Sequence, residues 1–160
     1  MLRDQFMKDL ENAKEAERLV LELLQSRNPR YIFEDVSDDI SCRYKGDIKA
    51  TSNELGVVFY IEIKDDSRIA DTRRVLCEEE VLIYESGYCM SGNMHNKTDF
   101  YCVVSKSEKI VYIFDFKKLQ EIYKSGEYKV IRHADQESVC YLVDLWKCKR
   151  AGALIYKLKY

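Results

Sequence analysis

The chain has 160 residues and a mass of 18.9 kDa, a length that is typical of one domain. Hydrophobic residues make up 46% of it and charged residues 34%, so the composition suits a packed core rather than a disordered chain. The longest apolar runs, such as 57–61 and 110–114, are far shorter than the roughly 18 residues of a membrane-spanning helix. We therefore expect a single domain over 1–160 that does not enter a membrane.

The start of the chain and its cysteines bear on cellular location. Met1 leads into a charged amphipathic stretch instead of an apolar segment, so no secretory signal is expected. The six cysteines include no pair with the C-x-x-C spacing of a zinc or redox site, and we interpret them as reduced thiols. These features predict a cytoplasmic protein.

Charge is distributed unevenly along the chain, although the net charge is only −2. Residues 1–96 hold 13 Lys and Arg against 20 Asp and Glu, whereas residues 97–160 hold 13 against 8. An acidic part that can hold a cation and a basic part that can bind phosphates are compatible with a nucleic-acid enzyme. Two solvated faces of opposite charge explain the same numbers at least as often.

The spacing of apolar residues predicts the elements of the first half. A long amphipathic helix covers about 3–26 and ends before Asn28-Pro29. A strand follows at 31–36, and then two antiparallel strands at 43–50 and 57–64, joined by a polar hairpin loop.

The pattern after that hairpin turns helical from Ile69 to Ile83 and ends near Gly87. Residues 86–98 contain two glycines and little periodicity, which favours a mobile surface loop.

The second half reads as two strands, a helix and two late strands. The two strands are 100–104 and 110–114. Asp115 is then the N-cap of a helix that ends at Gly126. The late strands are 140–145 and 154–160. The order α-β-β-β-α-β-β-α-β-β lacks the strict alternation of a doubly wound sheet. We predict an α/β fold with a mixed sheet flanked by helices.

The strand at 57–64 separates its side chains into two chemically different faces. One face is wholly apolar, and the other ends in Glu62 and Lys64. Pairing Thr51 with Gly56 sets Asp47 opposite Tyr60 and diagonal to Glu62, on the same face. We therefore expect Asp47 and Glu62 to converge.

Two carboxylates and a lysine at the end of one hairpin suit phosphodiester hydrolysis. Carboxylate oxygens are ligands for Mg²⁺ or Mn²⁺, and such an ion activates water and neutralises charge on a phosphate. A lysine can position the water or stabilise the transition state. Glu17 lies on the apolar stripe of the first helix and is a further candidate ligand, with a place at the edge of the stripe in water as an equally weighted alternative.

Gly46-Asp47, a short hairpin and Tyr60-Ile61-Glu62-Ile63-Lys64 together resemble the core motif of the PD-(D/E)XK nuclease superfamily. The resemblance implies a restriction-endonuclease-like core that covers most of the chain. It implies that Asp47 and Glu62 bind the metal, that Lys64 is the catalytic lysine and that Glu17 is the additional acid on the helix. The proline that precedes the aspartate in the superfamily is replaced here by Gly46.

The triplet itself is not specific, because three other acid-x-Lys triplets occur in the chain, at 47–49, 115–117 and 127–129. Only Glu62-Ile63-Lys64 ends a long apolar strand and follows an acid on a second strand 15 residues earlier. That context is what selects it.

Two groups of basic residues are candidates for contact with a nucleic-acid backbone. One follows the proposed site and the other lies near the C-terminal end; the residues are Arg68, Arg73, Arg74, Lys147, Lys149 and Arg150. The alternative for the arginines is a solvated helix face balanced by glutamates. Aromatic-basic pairs such as Tyr44-Lys45 could bind single strands.

We predict a divalent-metal-dependent nuclease that cleaves DNA, with RNA not excluded. The chain has no separate sequence-reading module, so structure-selective or weakly sequence-specific cleavage is expected. The resemblance also implies a homodimer as one arrangement. Two alternatives stay open: a catalytically inactive nuclease fold that binds nucleic acid or regulates a partner, and an unrelated domain in which Asp47, Glu62 and Lys64 form a structural ion-pair network.

Overall fold

A computed structural model describes the backbone of residues 2–83, 87–89, 92–126, 128–133 and 137–160. Side chains are described for 4–81, 92–126 and 138–160. In these ranges no helix is both long and apolar enough to span a membrane.

The first element is helix α1, Leu2–Arg27, as the apolar periodicity predicts. Ala16, Val20 and Leu24 form its buried stripe, which is one face of a 3.6-residue repeat. The helix ends at Asn28, whose N–H donates to the Leu24 carbonyl, because Pro29 has no N–H to continue the ladder.

A six-stranded sheet, the larger of two sheets, packs against α1. Its strands are β1 (Tyr31–Asp35), β2 (Ile48–Ser52), β3 (Val58–Asp65), β6 (Phe100–Ser105), β7 (Ile110–Asp115) and β10 (Leu154–Lys159). They lie in the order β1-β2-β3-β6-β7-β10. Only β3 and β6 pair in parallel; the other neighbours are antiparallel. The predicted strands of this sheet are confirmed to within two residues, except that the strand predicted at 43–50 begins only at Ile48, because 43–45 form a turn.

The connections from β3 to β6 and from β7 to β10 together form a second sheet. Its strands are β4 (Arg74–Ile83), β5 (Gly87–Cys89), β8 (Tyr128–His133) and β9 (Glu137–Asp144), in the order β5-β4-β9-β8. All its neighbours are antiparallel. The six-stranded sheet therefore has α1 on one face and a smaller sheet, with short helices, on the other.

The predicted helix over Ile69–Ile83 is wrong. Only α2, Ile69–Thr72, is helical, and it ends at Arg73 in the left-handed conformation with φ 54°. Val75, Leu76 and Cys77 are buried in succession, a pattern typical of a strand covered on both faces. The spacing of apolar residues fits either period here, and pairing with β9 over most of β4 decides for the strand.

The loop predicted over 86–98 is also largely wrong in its described part. Gly87–Cys89 pairs with β4, and Asn93–His95 forms a 3₁₀ helix in which Asn93 and Met94 are buried. Residues 86, 90 and 91 lie outside the described residues.

Two helices complete the structure: α3, Phe116–Ile122, and α4, Leu145–Arg150. Asp115 caps α3 as predicted, because its side chain accepts a hydrogen bond from the Lys118 N–H at 3.0 Å. Strand β8 and helix α4 were not predicted, so the predicted element order is incomplete. The coarser prediction of a mixed α/β fold is confirmed.

The two faces of the six-stranded sheet bury separate apolar clusters. Ile61 and Ile63 of β3 pack with the stripe of α1, whereas Tyr101 and Val103 of β6 pack with β4, β9, α3 and α4. Both sheets contribute to the second cluster. Because Glu62 and Lys64 alternate with Ile61 and Ile63, they lie on the face toward the smaller sheet.

Gly46 sits at a close approach of two backbones just before β2. Its φ is +142°, and a Cβ there would lie 2.6 Å from the Ile61 carbonyl oxygen. Proline, with φ fixed near −65°, cannot adopt this conformation, so the backbone at this position requires glycine.

We expect Gly46→Ala to lower the free energy of unfolding by about 2 to 4 kcal/mol, because it combines backbone strain with a backbone overlap. The matched control is Gly56→Ala, since Gly56 also has a positive φ, +64°, but open space around its Cβ position. It should lose only about 1 to 2 kcal/mol. Urea unfolding measures both, and equal losses would contradict the close approach.

Candidate functional site

Asp47 lies where β2 separates from β3. Its N–H donates to the Ile61 carbonyl and its own carbonyl accepts from the Val36 N–H, both at 2.8 Å. Its Oδ2 accepts a hydrogen bond from the Ile63 N–H at 2.8 Å. A carboxylate thus takes the hydrogen bond that a further residue of β2 would otherwise receive, which fixes this acid beside β3.

The register of the hairpin differs by two residues from the predicted one. Ile48 pairs with Ile61 and Thr51 with Val58, so continuing the ladder sets Asp47 opposite Glu62, not opposite Tyr60. The closing pair lies one residue further along the chain than predicted, at the Ser52 N–H and the Val57 carbonyl, so the turn covers 53–56 instead of 52–55. A shift of two residues keeps every side chain on its predicted face.

Both carboxylates have a raised pKa. Burial is the first cause at both groups, and each is raised further by the charge of a neighbouring acid: Glu17 for Asp47, and Asp47 for Glu62. The pKa of Asp47 rises to about 6, against the lowering effect of the Ile63 N–H. The pKa of Glu62 rises to about 8, against the effects of the Lys64 charge and a hydrogen bond from Asn96. The site therefore favours a proton or another cation.

Glu17 reaches the same region from α1. Its side chain is only 12% exposed, and its Oε2 lies 3.2 Å from the Lys14 ammonium. This oxygen is buried and accepts no hydrogen bond from the described residues. The charge of Glu17 contributes to the raised pKa of both Asp47 and Glu62, so the third acid is electrostatically part of the site.

Lys64 is half-buried on β3, two residues after Glu62 on the same face. Among the side chains that the structure describes, no carboxylate lies within ion-pair distance of its ammonium. Its charge nevertheless lowers the pKa of Glu62. A structural ion-pair network of Asp47, Glu62 and Lys64 is therefore not what holds these strands.

The donor chemistry of the site fits Mg²⁺ or Mn²⁺. No group of three His, Cys, Asp or Glu within the described ranges is already gathered around one point. Mg²⁺ in phosphate-processing sites is commonly held by one or two carboxylates, with waters and substrate phosphate as the other ligands. Asp47 and Glu62 supply two such carboxylates, and Glu17, whose Oε2 lies 3.2 Å from the Lys14 ammonium, adds a third acid whose charge raises the pKa of both.

The arginines proposed for phosphate contact are each bound to an acid. Arg68 pairs with Asp66 at 3.0 Å, Arg73 with Glu108 at 2.7 Å and Arg74 with Asp144 at 3.1 Å. The partners differ from the glutamates of the predicted helix, because that helix does not form. These pairs reduce the charge that the arginines can offer to a phosphate.

The second basic group lies on α4, away from the acids. Lys149 and Arg150 are exposed and Lys147 is half-buried. Helix α4 contacts β9 and β10, and β10 is three strands away from β3 in the sheet, or roughly 14 Å. The structure thus does not bring these three residues to Asp47 and Glu62.

Four polar residues near the acids were not predicted as part of the site. Asn96 donates to Glu62, the Lys97 N–H donates to the Tyr44 carbonyl at 2.6 Å, and the Lys45 ammonium lies 5.3 Å from the centre of the Tyr60 ring. Arg43 is exposed next to Tyr44. The nearness of Arg43 and Lys45 to Asp47 is visible in the sequence, but that of Asn96 and Lys97 depends on the crossover.

No family model, curated protein or solved structure matches this chain.

The raised pKa values predict how stability depends on pH when EDTA keeps metal away. Acids with a raised pKa in the folded state stabilise it at low pH and lose that contribution as pH rises through the folded pKa. For Glu62 the loss falls between its ordinary value near 4.5 and about 8. We expect Glu62→Gln to be more stable than wild type at pH 8, by up to a few kcal/mol, and nearly equal to it at pH 4.5.

Urea unfolding across this pH range measures the difference. Glu54→Gln, on the exposed β2–β3 turn, is the control and should follow wild type. A Glu62→Gln protein that is less stable than wild type at pH 8 would show that the carboxylate is a structural anchor.

Proposed function

We propose that this protein is a divalent-metal-dependent nuclease that hydrolyses phosphodiester bonds, with DNA favoured over RNA, and that it belongs to the PD-(D/E)XK superfamily. One observation carries the proposal: two half-buried acids lie side by side, Asp47 just before β2 and Glu62 on β3, and the charge of Asp47 raises the pKa of Glu62. Lys64, which pairs with no carboxylate of the described residues, follows two residues along β3. Such an arrangement costs folding stability, and metal-assisted phosphate chemistry gives it a use.

Asp47 and Glu62 are the proposed metal ligands, with Glu17 as an additional ligand. Mg²⁺ or Mn²⁺, when bound, would neutralise phosphate charge and lower the pKa of a water molecule. The Ile63 N–H holds Asp47 from the backbone, and Asn96 lowers the pKa of Glu62. Asp47 is therefore oriented before any ligand arrives, which reduces the reorganisation that binding requires.

Lys64 is proposed to act on the phosphate or on the attacking water. No carboxylate of the described residues pairs with its ammonium, so the ammonium is available to a phosphate. An ammonium in a half-buried position interacts with a phosphate oxygen more strongly than one in bulk water. Removal of this charge should therefore slow the chemical step.

The form of the substrate follows from what lies around the acids. Arg43, Lys45 and Lys97 are exposed cations that can bind phosphates whatever the base sequence. We propose structure-selective or weakly sequence-specific cleavage, in the cytoplasm, as expected from the sequence.

An inactive binding or regulatory protein with the same fold is the second candidate. It is favoured by the observation that no three ligating side chains of the described residues are already assembled. Binding by this second candidate requires neither a metal ion nor Lys64, whereas cleavage by the first requires both.

We expect Mn²⁺- or Mg²⁺-dependent degradation of single-stranded, branched or plasmid DNA by the wild-type protein. Asp47→Asn, Glu62→Gln and Lys64→Ala should each reduce the rate at least about 100-fold, the scale of losing one group that stabilises the transition state. Lys117→Ala is the matched control, because Lys117 is exposed and ends the unrelated triplet Asp115-Phe116-Lys117. Cleavage that survives in the folded Lys64→Ala protein would refute the assigned role, and no cleavage by wild type would favour the second candidate.

Metal binding should also be visible without any substrate. We expect millimolar Mn²⁺ at pH 8 to raise the melting temperature of wild type, with about 2.7 kcal/mol of stabilisation at a concentration of 100 times Kd. The Asp47→Asn/Glu62→Gln double variant should be more stable than wild type in EDTA, yet should not respond to Mn²⁺. General damage to the fold would lower the stability in EDTA. It therefore cannot produce a variant that is more stable than wild type in EDTA and does not respond to Mn²⁺. An equal Mn²⁺ response in the double variant would place the metal elsewhere.

A further inference from the structure

An exposed aromatic-basic surface borders the carboxylates, and we name it the Tyr44 rim: Arg43, Tyr44, Lys45 and Lys97. The first three residues directly precede Gly46 and Asp47, so the rim is continuous in the chain with the site. The Lys97 N–H donates to the Tyr44 carbonyl at 2.6 Å, and the Lys45 N–H to the Cys42 carbonyl at 2.8 Å. The backbone of the rim is thus held by hydrogen bonds from two separate segments.

The cations of the rim are available to a ligand. All three are exposed, and none forms an ion pair with a carboxylate of the described residues. By contrast, Arg68, Arg73 and Arg74 are each within 3.1 Å of an acid. Exposed cations without a carboxylate partner among the described residues attract a polyanion to this side of the acidic site.

Tyr44 contributes little to the core. It is 58% exposed, and the Arg43 guanidinium lies 5.7 Å from the centre of its ring. Lys45 lies over the ring of Tyr60, and Tyr60 precedes Glu62 by two residues on the same face of β3. The positive charge of the rim therefore extends from an exposed ring to the neighbourhood of Glu62.

We propose that the Tyr44 rim binds an unpaired stretch of nucleic acid, with a base stacked on Tyr44 and the adjoining phosphates on Lys45 and Lys97. An aromatic side chain can stack on a base whose face is free, and bases within a duplex are already stacked on each other. This inference names the substrate class of the proposed nuclease and rests on that function only for cleavage, because the rim can bind a strand whether or not the strand is cut.

The test uses the full chain carrying Glu62→Gln, in EDTA, so that binding is measured without cleavage. Fluorescence anisotropy with oligothymidylate, oligouridylate and a duplex of equal length should show tighter binding of the single strands. Tyr44→Ala in this background should weaken single-strand binding roughly 5- to 150-fold, the range for loss of one stacked base. Lys45→Ala/Lys97→Ala should reduce the slope of log K against log salt by about 1.4, for two phosphate contacts to a single strand.

Control variants come from β10, at the edge of the sheet. Tyr156 is 61% exposed, and Lys157 and Lys159 are exposed beside it, so Tyr156→Ala and Lys157→Ala/Lys159→Ala remove the same groups elsewhere. Circular dichroism checks that every variant is folded. The proposal is overturned if Tyr44→Ala weakens binding no more than Tyr156→Ala, or if the duplex binds as tightly as the single strands.

The outcomes separate this inference from the proposed function. Binding that depends on Tyr44 in a protein that never cleaves would uphold the rim and reject the nuclease. Cleavage by a protein whose binding does not depend on Tyr44 would uphold the nuclease and reject the rim. The ratio of affinities for oligothymidylate and oligouridylate shows whether the bound strand is DNA, RNA or either.

Discussion

The hydrogen bond from the Ile63 N–H to the Asp47 carboxylate is the interaction on which the candidate site depends. Strand β3 needs an acceptor at this N–H, because a buried unpaired backbone donor is costly. Strand β2 begins at Ile48 and offers no backbone carbonyl there, so a side chain supplies it at 2.8 Å. The same bond that completes the sheet therefore brings a carboxylate next to Glu62.

The negative charge of Asp47 is unfavourable because the carboxylate is buried and close to other acids. The hydrogen bond from the Ile63 N–H offsets only part of this cost. Burial and the charges of Glu17 and Asp47 raise the pKa values at the site, while the Ile63 N–H and Lys64 lower them. A fold under selection for stability alone would replace one acid with an apolar residue. An arrangement that is unfavourable for folding and sits at the end of a strand is typical of a binding or catalytic site.

The smaller sheet places the residues that surround these acids. The Asn93 amide donates to the Tyr101 hydroxyl at 3.0 Å, and that hydroxyl donates to the Leu76 carbonyl of β4 at 3.2 Å. Asn93 also accepts a hydrogen bond from the Glu78 N–H. This buried network ties the 3₁₀ helix at 93–95 to both sheets. Because Asn96 and Lys97 follow that helix directly, the network fixes them beside Glu62 and Tyr44.

The sequence was a good guide to the elements whose pattern is local and a poor one where distant partners decide. The stripe of α1 and the alternation of β3 have a clear period, and the faces of Glu62 and Lys64 follow from it. Residues 74–83 fit two periods, and only pairing with β9, some sixty residues later in the chain, makes them a strand. Asn96 and Lys97 could not be assigned to the site for the same reason, since their position follows from that strand.

Some cations near the acidic site pair with a carboxylate, and others have no such pair among the described residues. This difference indicates the side from which a phosphate would approach the acids. A count of charges does not distinguish Arg68, Arg73 and Arg74 from Arg43, Lys45 and Lys97. The arginines were predicted to contact phosphate because they follow the strand of Glu62 in the sequence. Geometry separates the two groups, because the first three are bound to Asp66, Glu108 and Asp144 and the other three lie without a carboxylate partner among the described residues. A phosphate that displaced an existing carboxylate would gain little, since one ion pair would replace another. A phosphate at an unpaired ammonium gains the whole interaction, and so the approach to Asp47 and Glu62 should run over Tyr44.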